Sequence, residues 1–212
     1  MKAIERIEQE LSGKTIDLNL LDRDKTALFI VDMVVGFVYS GALSSPRVAS
    51  IANNIAELNE KTKGYKKIFF LDNHEKDSQE FRYFPAHCIK GTEEAEIIPE
   101  LRNIYSDDFN IYYVEKNSTN GFHSKRFQDW LKKYETEVDN YIIVGCVTDI
   151  CVLQFALSLK SYFNEKNINK TIIVPKNCVE TYDVGSHDGY LMNLFALYNM
   201  HISGIEVIEK IN

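Results

Sequence analysis

The stretch Ile142-Ile143-Val144-Gly145-Cys146-Val147-Thr148-Asp149-Ile150-Cys151-Val152 runs from a β-branched apolar segment through a glycine into a helical pattern. It reads as a buried strand that turns at Gly145 and feeds a helix whose first turn carries Cys151. Unpaired backbone N–H groups in a first helical turn present partial positive charge, which favours thiolate over thiol. The same cysteine also fits a plain structural reading, since free cysteines are often buried as small apolar residues. What lies at the ends of the other strands therefore matters.

Working outward from this stretch, similar apolar runs at 27–31, 68–71, 111–114, 171–174 and 204–208 read as five further strands, making six with 141–144. Between them, 45–63, 122–133, 149–163 and 186–200 read as helices. Val48, Ile51, Ala52, Ile55 and Leu58 share one face of the first, and Ser45 before Pro46 suits an N-cap and first-turn proline. Strand–helix alternation implies an α/β fold, with a central, mostly parallel six-stranded sheet between two helical layers. Active sites of such sheets gather at the C-terminal strand ends. The irregular segment 72–110, which holds two prolines, is long for a structureless connection and is expected to be functional.

A chain of 212 residues, 45% hydrophobic, is long enough for a full core, and 1–212 is expected to form one domain with 1–24 as an N-terminal helix and arm. The net charge of −7, with basic residues dispersed, argues against a nucleic-acid partner and for a small-molecule substrate. No apolar run approaches the roughly 20 residues of a membrane span, and the charged N-terminus does not resemble a secretory signal, so no membrane partner and a cytoplasmic location are expected. Cys88, Cys146, Cys151 and Cys178 lack the spacing of a disulfide framework or a thiolate zinc site.

Three strand exits carry reactive side chains: Asp32 after 27–31, Lys116 after 111–114, and Cys151 beyond 141–144. Each alone fits an exposed strand end. Together they supply a proton acceptor, a cation that stabilises a thiolate and a nucleophile, the set that acyl transfer by cysteine requires. A second group sits at the exit of 68–71, where Asp72, His74, Glu80 and His87 offer carboxylate and imidazole donors suited to zinc, iron(II) or manganese(II).

In the order Asp32, Lys116, then Gly145-Cys146-Val147-Thr148-Asp149-Ile150-Cys151-Val152, the chain resembles the isochorismatase-like cysteine hydrolases from Thr26 to Ile208. The resemblance implies a three-layer αβα fold, Asp32, Lys116 and Cys151 as the catalytic set, a cis peptide at Cys146–Val147, and the N–H groups of Val147 and Cys151 as an oxyanion site. One position departs from many relatives: Met33 stands where a glutamine follows the aspartate, while Phe37 keeps an aromatic position.

Phe84-Pro85-Ala86-His87-Cys88-Ile89-Lys90-Gly91-Thr92, with Asp72-Asn73-His74 before it, is similar to the nicotinamidase branch of that superfamily. This implies one divalent transition metal, zinc ahead of iron or manganese, on Asp72, His74 and His87, with Glu80 as an additional carboxylate ligand. It also implies Phe37 and Phe84 flanking a pyridine ring, and hydrolysis of nicotinamide to nicotinate and ammonia through a thioester. Members of the superfamily are often oligomers, and no feature sets a subunit number here. Two other readings compete: a metal-free relative acting on another small amide or carbamoyl substrate, and a non-catalytic binding module of the same fold. Cys146 reads as a small residue packed under the turn, and His123 and His187 as structural or surface histidines.

Overall fold

Within β2 (Thr26–Val31), all six residues are buried, with alternate side chains entering different cores: Ala27, Phe29 and Val31 on one side, Leu28 and Ile30 on the other. A strand buried on both faces belongs in the middle of a parallel sheet. A computed structural model, which describes residues 2–102 and 110–212, has this arrangement. Its strands are β1 (Thr15–Ile16), β2, β3 (Lys66–Asp72), β4 (Ile111–Lys116), β5 (Asn140–Cys146), β6 (Thr171–Pro175), β7 (Val179–Glu180), β8 (Glu206–Ile208) and β9 (Lys210–Ile211). The main sheet runs β4-β3-β2-β5-β6-β8 with every pair parallel. These are the six strands expected from the apolar runs.

Three short strands were not legible. β7 pairs with β5 at Gly145 and Cys146, continuing beside β5 after β6 has ended at Pro175 and the chain has turned through Lys176–Cys178. β1 and β9 pair in a separate two-stranded ribbon, so the N-terminal arm is fastened to the C-terminal end. Two-residue strands carry too little pattern to be read from periodicity.

One helical layer consists of α2 (Val35–Val38), α3 (Pro46–Ala49) and α4 (Ala52–Lys61), which pack through Val38, Val48, Ile55 and Leu58. The other consists of α1 (Lys2–Glu10), α5 (Lys125–Tyr134), α6 (Leu153–Glu165) and α7 (Gly189–Ile202). Phe29 is the hub of that second core, with edge-on rings of Phe70, Phe127, Trp130, Tyr141 and Phe155 at 5.3–6.1 Å. Two helices differ from the expected spans. The 45–63 pattern divides at Ser50 and Ile51 into α3 and α4, and Ser45 occupies the cap position before Pro46 without a side-chain cap bond. The helix expected from 149 begins with a wide π-type turn over Thr148–Val152, where Val147 O accepts from both Ile150 N and Val152 N; α6 proper starts at Leu153. Among the described residues no helix is long and apolar enough to cross a membrane.

Strand order reverses between β2 and β5, since the chain moves outward from β2 through β3 to β4 and then returns to β5 on the other side. Connections on either side of such a reversal diverge and open a crevice at the C-terminal strand ends. The 72–110 segment, whose 103–109 portion lies outside the described residues, folds over that crevice in short 3-10 turns. It is pinned by His74 N to Cys88 O and Lys90 N to His74 O, both 2.9 Å.

Candidate active site

Asp32, Lys116 and Cys151 are brought together at the crevice by three different strands. Asp32 follows β2 with a positive φ of 52°, an uncommon backbone state for a non-glycine residue that turns the chain at the strand end. Its N–H still bonds Phe70 O at 3.0 Å. Lys116 ends β4 in register with Asp72, the last residue of β3. Its ammonium lies 2.7 Å from Asp32 Oδ2, 2.5 Å from Asp72 Oδ1 and 3.9 Å from Cys151 Sγ. The contact with Asp32 is an ion pair without a well-aligned hydrogen bond. All three residues, and Asp72, are buried.

The closeness of β2 and β5 at this end depends on Gly145, which has φ 118°; a Cβ there would stand 2.0 Å from Val31 O. The Cys146–Val147 peptide is cis. Cys146 Sγ donates to Asp32 O at 3.1 Å, so this second thiol serves the backbone of the strand end.

Burial dominates the electrostatics. It raises Asp32 to about 7, against the pull of Lys116; Asp72 pushes the same way as burial. Cys151 is likewise pushed well above the usual thiol range by burial, only partly opposed by Lys116. Burial works against the charge on Lys116, but Asp32 and Asp72 outweigh it and hold the ammonium well above its ordinary value. Burial therefore works against the thiolate that the helix start and Lys116 are expected to favour at Cys151. Two carboxylates, each with a claim on the one cation, leave Lys116 little surplus charge for the sulfur.

Asp72 has a second set of neighbours. Its Oδ2 lies 3.3 Å from His74 Nε2 and 3.4 Å from His87 Nε2. One ligand atom from each of Asp72, His74 and His87 falls within 4.8 Å of the others, and all three residues are buried. The opposite ring nitrogens are held from behind: His74 Nδ1 by Asn117 Oδ1 at 3.1 Å, His87 Nδ1 by Pro85 O at 2.8 Å. Acceptors at Nδ1 favour the tautomer whose Nε2 lone pair points at the common centre, as in histidines that bind metals. Buried His74 Nε2 has no hydrogen-bond partner, which suits an ion and is costly without one. Glu80 stands at the edge of the trio. Its Oε2 is 3.8 Å from His74 Nε2, and Oε1 accepts from Thr119 N at 2.7 Å.

Between these two groups opens a mainly apolar cavity. Asp72, Glu80, His87 and Cys151 reach it along with Phe37 and Phe84, and Val147 lines it beside the thiol. The remaining wall residues Leu43, Thr119, Ile150 and Tyr182 escaped the sequence reading, as did Asn117 behind His74. Asn117 and Thr119 could have been found by reading past Lys116 into the loop; Leu43 and Tyr182 carry no local signal. His123 lies outside the cavity wall, whereas His187 pairs with Asp149 at 2.8 Å close to it.

A family profile described as Isochorismatase domain matches residues 26–206. Nicotinamidase 1 of Arabidopsis thaliana is 30% identical over 223 aligned positions, covering 91% of this chain and 89% of the relative. Among solved structures, the nicotinamidase PncA from Bacillus subtilis superposes with a TM-score of 0.75 at 26% identity, covering 87% of this chain and 99% of that one. A pyrazinamidase of Pyrococcus horikoshii, solved in complex with zinc, shares the fold with a TM-score of 0.71 at 22% identity, covering 87% and 99%.

Proposed function

The chain belongs to the isochorismatase family and is an amidohydrolase, and from that premise we propose that it hydrolyses nicotinamide to nicotinate and ammonia with Cys151 as nucleophile. The observation that carries this reading is the convergence of two imidazole Nε2 atoms on Asp72 Oδ2 at the wall of the cavity that also holds the Cys151 thiol. A metal-free hydrolase of another amide would leave buried His74 Nε2 without a partner.

In this mechanism Asp32 is the general base. A carboxylate raised to about 7 is well matched to accept and return a proton near neutral pH. It takes the proton of Cys151 as sulfur attacks the carboxamide carbon, so thiolate forms only as it is consumed. Lys116 keeps the carboxylate in place and offsets the negative charge that passes from carboxylate to sulfur. The oxyanion is met by the N–H groups of Val147 and Cys151; each such donor contributes roughly 3 kcal/mol to the transition state. Protonated Asp32 then gives its proton to the departing ammonia. Water, deprotonated by the same carboxylate, attacks the thioester; the C–S bond breaks, the acid is freed, and Asp32 returns the proton to the Cys151 sulfur.

Asp72, His74 and His87, with Glu80 at the edge, would hold a divalent ion, with zinc the first candidate for two imidazoles and a carboxylate. When bound, such an ion supplies Lewis acidity and a coordination position for a ring nitrogen. Phe37 and Phe84, whose rings lie 5.5 and 6.3 Å from that of His87, would flank the substrate ring.

The test is ammonia release from nicotinamide by the purified protein, with and without chelator, alongside Cys151→Ala. Turnover lost to the chelator and restored by one equivalent of zinc, iron or manganese is expected. Cys151→Ala is expected to bind the same metal stoichiometry with no turnover. Full activity in that variant, or indifference to the chelator, would remove the proposal.

A further inference from the structure

Asp149 lies two residues before Cys151, yet neither of its oxygens serves the thiol. Oδ1 accepts from Thr181 Oγ1 at 2.5 Å, and Oδ2 meets His187 Nε2 at 2.8 Å. The other nitrogen of His187 faces Tyr182 O at 3.0 Å, and its ring stacks on the Tyr182 ring with centroids 3.9 Å apart and planes 18° from parallel. Tyr182 in turn lines the cavity beside Cys151. A chain of contacts thus runs from the turn that carries the nucleophile to one wall of its own pocket.

Burial does little to hold the tip of this loop. Asp183, Val184, Gly185 and Ser186 are exposed, and Val184 and His187 close it with a reciprocal backbone pair of 3.2 and 3.0 Å. Its stem is fixed by Arg47, which pairs with Glu180 at 2.8 Å and donates to Thr181 O at 3.3 Å. Beyond the stem, the half-buried tyrosine packs against the core on the β5 side of the cavity, and its ring is stacked on His187, which Asp149 holds in turn. Core packing covers only part of this side chain, and stacking against an anchored ring further restricts its two torsions.

We infer that His187 and Asp149 are positioning residues that hold Tyr182 as a wall of the active-site cavity, and that Tyr182 sets the width of the ring an amide substrate carries. The choice of substrates for the test rests on the nicotinamidase reading. The wall itself does not.

Four proteins decide the matter: wild type, His187→Ala, Tyr182→Ala and the double variant, each with its metal. His187→Gln is added, since it keeps a donor toward Asp149 but has no ring to stack. Hydrolysis of nicotinamide is compared with that of quinoline-3-carboxamide, a benzo-fused analogue. In parallel, alkylation of Cys151 by iodoacetamide and by the wider N-phenylmaleimide is followed by peptide mass spectrometry, which needs no turnover. His187→Ala is expected to raise KM for nicotinamide more than it lowers kcat and to narrow the preference for the smaller ring by about tenfold. It should also raise the phenylmaleimide-to-iodoacetamide rate ratio at Cys151 by roughly fivefold, with the double variant going no further than Tyr182→Ala because both act through one wall. His187→Gln should retain most of the effect, and it carries the test if the alanine variant does not fold. Ratios within about twofold of wild type in both histidine variants, or full additivity in the double variant, would overturn the inference. If wild type does not hydrolyse nicotinamide, the proposed function fails and the alkylation ratios alone decide the role of His187.

Discussion

Cys151 illustrates how burial overrides a local electrostatic cue. The helix start and a nearby lysine argue for a thiolate, but the sulfur is buried and shares Lys116 with Asp32 and Asp72, and its proton is held well above the ordinary range. Asp32 follows the same logic in the same direction. Its folded-state value of about 7, against 3.8 for an unburied carboxyl, means that the folded chain keeps a proton there which the unfolded chain releases. The resulting stability is fully present below the unfolded value and is lost as pH rises toward 7. In chelator-treated protein, wild type is therefore expected to lose stability relative to Asp32→Asn between about pH 4 and pH 7. The loss should reach about 4 kcal/mol, since each tenfold change in proton affinity is worth about 1.4 kcal/mol. Urea unfolding of the two proteins across that range measures it. A difference that is flat, or that favours wild type as pH rises, would contradict burial as the dominant influence on Asp32.

Among the elements, the β5 exit shows what a single missing Cβ achieves. Gly145 lets β5 and β2 approach where strand order reverses, and an added methyl would collide with backbone rather than with a side chain that could swing away. Backbone of the strand that delivers Asp32 would have to move. Gly145→Ala is expected to cost at least about 4 kcal/mol, in the range of the most damaging single changes. Turnover of whatever remains folded should fall by about a hundredfold, since displacement of a catalytic group by roughly 1 Å is enough for that. Gly13 makes the control. Its φ is also positive, at 88°, but nothing lies within 4 Å of an added Cβ. Gly13→Ala should therefore cost only about 1 kcal/mol, the backbone penalty alone. Chemical denaturation of both variants and the kcat/KM of the soluble fraction test the contrast. Equal costs would mean that close approach of the strands is not what Gly145 provides.

At the scale of the whole molecule, the two ends of the chain close on each other. Thr15 and Ile16 pair with Lys210 and Ile211, Leu18 N bonds Asn212 O, and Leu11 is buried in the core to which α6 and α7 also contribute. We propose that residues 1–212 form one cooperative unit in which this arm is a fastening. Removing residues 1–17 forfeits the burial of Leu11 and part of that of Ile4, Ile7 and Ile16, about 3 kcal/mol. For a chain of this size the melting temperature should fall by roughly 6–12 °C. Calorimetry should find a single transition before and after the deletion, and two transitions in the full chain would sink the proposal. The amino-acid order determined by itself the six parallel strands, the carboxylate, ammonium and thiol at their exits, and the Asp72, His74, His87 trio. Each of these writes a local mark, whether an apolar run, a turn glycine or a short motif on one strand end. Only the tertiary structure decided that Lys116 is divided between Asp32 and Asp72, that burial raises the Cys151 thiol against the pull of Lys116, and that Tyr182 lines the cavity. Those outcomes depend on distances between residues far apart in the chain and on how much water is excluded between them, and neither quantity is written in any one segment.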